Sequence, residues 1–158
     1  MLRGRALAAL LLAAGLAWGC AEEARRPDAD EARPVPAYAI LKAARSQMGK
    51  PYAYGGHSPH TGFDCSGLVY WCYRQYDSVL PRTVRGQYRL GVAVARPELR
   101  AGDLVFFSTA SGLQPSHVGI MLNHDRFIHA PAGGEMVRED ELRNNYWRRT
   151  FYGARRIE

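Results

Sequence analysis

Cys65 is followed by Ser66-Gly67-Leu68-Val69 and then by Trp71, Cys72 and Tyr76. Apolar side chains at three, four, seven and eleven positions beyond Cys65 share one helical face, so the spacing predicts a helix from about Asp64 to Tyr76 with Cys65 in its first turn. Asp64 then stands at the N-cap, where a carboxylate accepts from the free amides of that turn. The partial positive charge of a helix start favours thiolate over thiol, which makes Cys65 a candidate nucleophile.

A thiol nucleophile needs a base that takes its proton and later protonates the leaving amine. The chain has five histidines: His57, His60, His117, His124 and His129. His57 and His60 lie in a Gly/Ser/Pro loop ahead of Cys65, which suits solvated or substrate-contacting positions. His124 falls in a turn. His117 opens one Val/Ile-rich run and His129 sits near the end of the next, with Asn123-His124-Asp125 between them. Two strands joined by so short a turn form an antiparallel hairpin, across which the two rings can approach hydrogen-bonding distance. One histidine would then act as base on Cys65 while the other orients it. Two ordinary strand histidines give the same pattern. A metal site is not favoured, because Cys65, His117 and His129 lack close ligand spacing.

The elements that must hold these residues follow from the rest of the pattern. Ile40, Leu41, Ala44 and Met48 mark one face of a short helix that begins near Ala37 and stops at Gly49. A loop spans Pro51 to Gly62, ahead of the helix that carries Cys65. Thr83 to Leu90 reads as a further short helix closed by Gly91. Beyond the turn Arg100-Ala101-Gly102-Asp103 the pattern changes to strands at Leu104 to Ser108, His117 to Leu122 and Arg126 to Ala130. Val137 and Phe151 to Ile157 offer one or two more, with Asp140 to Trp147 as a helix or turn. Helices first and strands after indicate an α+β fold, with early helices packed on an antiparallel sheet.

A chain of 158 residues with 47% hydrophobic and 23% charged side chains fits one globular domain with a proper core. The net charge of +6, carried mostly by arginine, suits an anionic polymer or membrane surface. The sequence has no basic stripe interleaved with aromatics and no nucleic-acid motif, so nucleic acid is not an expected partner. No cofactor is expected, and a monomer is.

The first twenty residues read as a leader rather than as fold. Arg3 and Arg5 precede the apolar run Ala6 to Ala17, which is too short to span a bilayer comfortably. Gly19 before Cys20 resembles a lipobox, in which the cysteine is lipidated and becomes the new N-terminus. Ala17 stands where leucine is usual, and Leu16 lies one place further back. Ala21 to Pro36 mixes charged residues with Pro27, Pro34 and Pro36 and reads as a flexible linker, with a mean reach of about 20 to 25 Å. No structural disulfide is expected: one helix would set Cys65 and Cys72 about 10.5 Å apart, beyond the roughly 7 Å that a disulfide allows. Cys72 reads as a small buried hydrophobe.

Five blocks together resemble the NlpC/p60 cysteine peptidases: Tyr54-Gly55-Gly56, Phe63 to Val69, Gly102 to Phe107, His117-Val118-Gly119-Ile120 and Phe127 to Pro131. They occur in the family's order and cover nearly all of Ala37 to Ile157, so residues 37–158 are taken as the peptidase domain. The resemblance implies a papain-like α+β fold and hydrolysis of peptide bonds in bacterial peptidoglycan. It implies Cys65 as nucleophile, His117 as base and His129 as the orienting third residue. It further implies a tyrosine hydroxyl near the thiol at Tyr54 and stem-peptide contacts at Asp64 and Ser66. The segment Pro81-Arg82-Thr83 with Gln87 resembles one that borders the cleft. The tether and single domain most resemble small Gram-negative lipoprotein endopeptidases that act at diaminopimelate, on D-alanyl cross-links or after γ-D-glutamate. Such an enzyme would sit in the periplasm, anchored through Cys20 to the outer membrane, or be secreted if Cys20 is unmodified. Two other classes fit parts of the pattern: a non-catalytic wall-binding lipoprotein on the same fold, and a Cys/His acyltransferase. The intact Cys65, His117 and His129 weigh against the first, and the polar loop Tyr52 to Gly62 against the second.

Overall fold

The computed structural model describes residues 36–109, 113–133 and 135–158. The leader, Cys20 and the stretch 21–35 of the linker lie outside the described residues. Helix α1, Ala37–Arg45, buries Ala39, Ile40, Ala43 and Ala44 along one face. Gly49, at φ +77°, takes the left-handed conformation that ends this segment. The following loop contains a two-residue ribbon, β1 (His57–Ser58) against β2 (Gly62–Phe63), which alternation over so short a span does not signal.

Helix α2, Cys65–Arg74, starts as its capping pattern predicts, with the Asp64 side chain accepting from the Gly67 amide. It buries Leu68, Val69, Cys72 and Tyr73. The short helix α3, Val84–Tyr88, is capped by Thr83. Strand β3 (Val92–Ala93) and one 3-10 turn at Arg96–Glu98 lead to β4 (Leu104–Phe107), β5 (His117–Met121), β6 (Arg126–His129) and β7 (Arg138–Glu141). Helix α4 (Asn145–Thr150) then runs directly into β8 (Phe151–Arg156).

Six strands form one sheet in the order β3-β8-β4-β5-β6-β7, with every neighbouring pair antiparallel. The α+β expectation therefore holds. Two details differ from it: Asp140 lies in β7 rather than in a helix or turn, and the helix begins only at Asn145.

The sheet is buried on both faces. Leu104, Phe106, Val118, Ile120 and Ile128 pack with Ile40, Leu68, Val69 and Cys72 from the two long helices. Val105, Phe107, Met121, Phe127 and Ala154 form a second layer on the far face with Leu142 and Trp147. Burying a side chain of this size is worth about 1.5–3 kcal/mol, so the two layers anchor the strands that carry the histidines. Asp103, only 1% exposed, accepts from Arg156 at 2.8 and 2.9 Å and pins the end of β8 beside the start of β4.

Candidate active site

The first turn of α2 is tied down by an arginine well outside it. Arg82 grips the Asp64 carboxylate with both terminal nitrogens, at 2.8 and 2.7 Å, and also donates to Ser66 Oγ and to the Gly56 carbonyl, each at 3.0 Å. Two parallel donors give this pair directional definition that a lysine would lack. Asp64 also accepts from the amides of Gly67 at 2.7 Å and Gly55 at 3.0 Å. Burial opposes ionisation of this carboxyl, but the hydrogen bonds from Arg82, Gly67 and Gly55 outweigh it and hold the pKa below the usual carboxylate value. Gln87, fully buried on α3, donates to the carbonyls of Ser66 and Pro81. The segment around Pro81 thus fixes the loop and helix start on either side of Cys65.

Cys65 opens into a cleft of about 680 Å³ lined also by Tyr52, Tyr54, His57, Asp64, Ser66, Tyr70, Arg82 and Ser116. The helix start is not enough to ionise it. Burial is the largest influence and pushes the thiol up to about 11; the nearby Asp64 charge adds to this, while the Val118 amide works the other way. The resting group is a thiol, contrary to the expectation from helix position alone.

The hydrogen bond from the Val118 amide places Cys65 at the beginning of β5, the strand that His117 opens. His117 Nε2 lies 2.8 Å from His129 Nδ1, so the sequence-predicted pairing of the two rings is present. They are diagonal neighbours rather than directly opposed: the register Ile120↔Ile128 and Met121↔Phe127, carried one step further, sets Gly119 across from His129. Gly119 leaves room for the neighbouring Phe127 ring, since a Cβ there would lie 2.5 Å from it.

The hydrogen-bonded row continues beyond the pair. His129 Nε2 lies 3.0 Å from Asp140 Oδ2, which also receives Trp147 Nε1–H at 3.0 Å and Arg138 Nη2–H at 3.2 Å. Arg138 in turn pairs with Glu135. Burial lowers the pKa of His117 to about 3, helped by His129 and opposed by Asp140, so the ring is neutral at rest. Burial likewise lowers that of His129, against the pull of Asp140. Asp140 is held ionised: burial opposes this, but the bonds from His129, Arg138 and Trp147 bring its pKa down to about 2.

The other sequence-predicted positions divide cleanly. Tyr54 lies on the cleft rim with 95% of its surface exposed. Tyr52, two places earlier, is the partly buried tyrosine whose ionisation is opposed by burial and by the charge of Cys65. His57 borders the cleft, with its ring edge-on to Tyr70, while His60 and His124 are exposed. Cys72 is free and fully buried. Among the described residues no group of three or more His, Cys, Asp or Glu side chains is placed to hold a metal ion. Sequence reasoning passed over Asp140, Trp147 and Tyr52 and gave Arg82 no definite part. The two arginine-to-carboxylate links have no sequence period that would reveal them.

Comparison with known proteins gives one consistent result. The model of the NlpC/P60 family matches residues 49–156. The chain is 45% identical over 114 residues to murein DD-endopeptidase MepH of Escherichia coli, a match covering 70% of this chain and 42% of MepH. It thus spans less than half the length of that relative. It is 37% identical over 153 residues to the probable endopeptidase NlpC of E. coli, covering 94% of this chain and 97% of that protein. The crystal structure of a Staphylococcus aureus protein of the NLP/P60 family is similar with a TM-score of 0.69 and 36% identity, over 80% of this chain and 44% of the other.

Proposed function

Because the chain belongs to the NlpC/P60 family, we propose that it is a thiol endopeptidase that hydrolyses stem-peptide or cross-link bonds of peptidoglycan at diaminopimelate. The observation that carries this reading is a cysteine at a helix start, open to a cleft and hydrogen-bonded by the amide of Val118, the residue after a neutral buried histidine that is itself hydrogen-bonded to a second. The endopeptidase names of the relatives support it.

In this reading the Cys65 thiol gives its proton to His117 Nδ1 as sulfur attacks the scissile carbonyl. The nitrogen Nε2 is already engaged by His129, and Nδ1 is the one nearer the main chain that runs on to Val118. The amine leaves as the C–N bond breaks and takes the proton back from His117. Water then hydrolyses the thioester, with His117 again as base, to give a carboxylic acid and restore the thiol. The Cys65 amide, at the start of α2, serves the oxyanion. Burial favours the neutral form of both the thiol and the imidazole, so in this reading proton transfer accompanies attack. His129 acts through His117. Tyr52 is the tyrosine near the thiol, Tyr54 and Ser66 lie on the substrate side of the cleft, and Asp64 shapes that side through Arg82.

Digestion of purified sacculi by the enzyme and by Cys65→Ala, with fragments identified by mass, tests the reading. New peptide fragments from the parent alone are expected, and loss of cross-linked dimers would identify the cross-link as the target. No new fragment from the parent would refute it.

The leader-like start and Cys20 support export and lipid attachment, with the enzyme anchored in the periplasm to the outer membrane. Replacing Cys20 with serine should move the protein out of the membrane fraction; unchanged partitioning would refute the anchor.

A further inference from the structure

With both rings held neutral by burial, the hydrogen bonds behind His117 admit one consistent placement of protons, and its origin is a residue that the family resemblance does not supply. We propose that Asp140 is a positioning residue whose Oδ2 fixes the tautomer of His129 and, through it, the tautomer of His117. An ionised carboxylate has no proton to give, so at 3.0 Å from Oδ2 the His129 Nε2 carries hydrogen. A neutral His129 is then bare at Nδ1. That bare nitrogen lies 2.8 Å from His117 Nε2, a distance that requires a donor, so His117 Nε2 carries hydrogen. Neutral His117 is left bare at Nδ1, which is the form a base must take. The opposite arrangement would set a bare His129 Nε2 against the carboxylate and place hydrogen on His117 Nδ1. In the endopeptidase reading the thiol would then meet a donor instead of a base.

The surroundings of Asp140 hold this direction. Besides His129 on β6, Oδ2 receives Trp147 from α4 and Arg138 from its own strand, and Glu135 engages the outer side of Arg138. All the polar groups at Oδ2 are donors, so the position calls for an oxygen with lone pairs. An asparagine there would turn its carbonyl oxygen, not its amide nitrogen, toward these three donors. The tautomers should therefore survive Asp140→Asn and be lost in Asp140→Ala. That contrast separates an accepting oxygen from a general structural contribution.

Nitrogen-15 NMR of the histidine-labelled full-length protein near neutral pH reads the proton positions without any substrate. The parent and Asp140→Asn should show His117 protonated at Nε2 and bare at Nδ1, whereas Asp140→Ala should populate the form protonated at Nδ1. On a peptide substrate, Asp140→Asn should stay within about tenfold of the parent, and Asp140→Ala should lose about 10²–10⁴-fold in kcat with little change in KM, the range of a general base. Parent tautomers retained in Asp140→Ala, or His117 protonated at Nδ1 in the parent, would overturn the proposal. Should the alanine variant fail to fold, Asp140→Asn decides alone: parent-like signals support the proposal and a switch to Nδ1–H on His117 overturns it. The effect on rate rests on the endopeptidase reading, whereas the NMR arm does not. A parent inactive on every wall peptide but with the expected tautomers would sink that reading and leave this one standing.

Discussion

Trp147 stacks on His117, with ring centroids 5.4 Å apart and planes 24° from parallel, and the same indole donates to Asp140 at 3.0 Å. One side chain from α4 therefore keeps water from the imidazole and holds the carboxylate at the far end of the histidine row. His129 is also edge-on to this indole, at 5.0 Å.

The acid limb of kcat/KM should reflect this shielding. His117 must be neutral to act as a base, and burial holds its pKa far below the ordinary 6.5, so activity should persist well below pH 6.5. Trp147→Ala admits water, raises the imidazole pKa and should move the acid limb up toward 6.5. Trp147→Phe keeps the stacking and should move it less. A limb at 6.5 in the parent would contradict the burial argument.

Alkylation should show the state of the thiol directly. With Cys65 pushed up to about 11, the second-order rate with iodoacetamide should be low at pH 7 and should still be climbing at pH 9. Peptide mapping should find the label on Cys65, while Cys72, fully buried, stays unmodified in the folded protein. A rate that levels off near pH 7 would indicate a resting thiolate instead.

Gly119→Ala places a methyl group 2.5 Å from the Phe127 ring, whose centroid is 4.9 Å from that of His129. Overpacking of this kind costs about 1–3 kcal/mol, readable as a lower urea midpoint. Displacement of Phe127 should also lower kcat. A variant as stable and as active as the parent would show that the ring yields freely.

Arg82→Gln removes both donors to Asp64 and those to Ser66 Oγ and Gly56. The loss should be about 1–3 kcal/mol in stability, as for buried acceptors left unsatisfied. KM should rise more than kcat falls, because the loop forming one cleft wall is released. Arg82→Lys should not restore either quantity, since a single ammonium cannot span both carboxylate oxygens. Full rescue by lysine would reduce the link to simple charge.

Stability should depend on pH in two windows, one for the histidines that opens near pH 6.5 and one for Asp140 that opens near 3.8. His117 and His129 have folded pKa values below their unfolded one, so between those values the unfolded chain binds more protons. Their contribution is complete above about pH 6.5 and declines as pH falls below it. Asp140, lowered to about 2, adds stability that is complete above the unfolded value of 3.8 and is lost as pH falls through about 2. Urea midpoints should therefore drop between pH 7.5 and 5 and drop again below 4. A flat profile from 7.5 to 5 would exclude neutral burial of the histidines.

How far the sequence revealed this arrangement depended on the range of each interaction. Asp64 and the start of α2 were legible because capping acts within four residues. The pairing of His117 with His129 was legible because two Val/Ile-rich strands and a short turn join them, although not that the register would set the rings on a diagonal. Asp140 was hidden in Arg138-Glu139-Asp140-Glu141, an edge strand with no apolar alternation, formed through pairing with β6. Helix position suggested a thiolate at Cys65, but the helix dipole contributes about 0.3–1 kcal/mol and burial outweighs it. The partner of Asp64, Arg82, lies eighteen residues away, beyond the reach of any local pattern.

Strand β8 lies between β3 and β4, yet it is the last strand of the sheet to be synthesised. A chain growing from its N-terminus holds Cys65, His117 and His129 while β4 still has an open edge on the side that β8 will fill. Asp140 and Trp147 also come late in that order, just ahead of β8. The strands that carry His117 and His129 thus gain their last neighbour, and the carboxylate behind them, from the segment between Arg138 and Arg156.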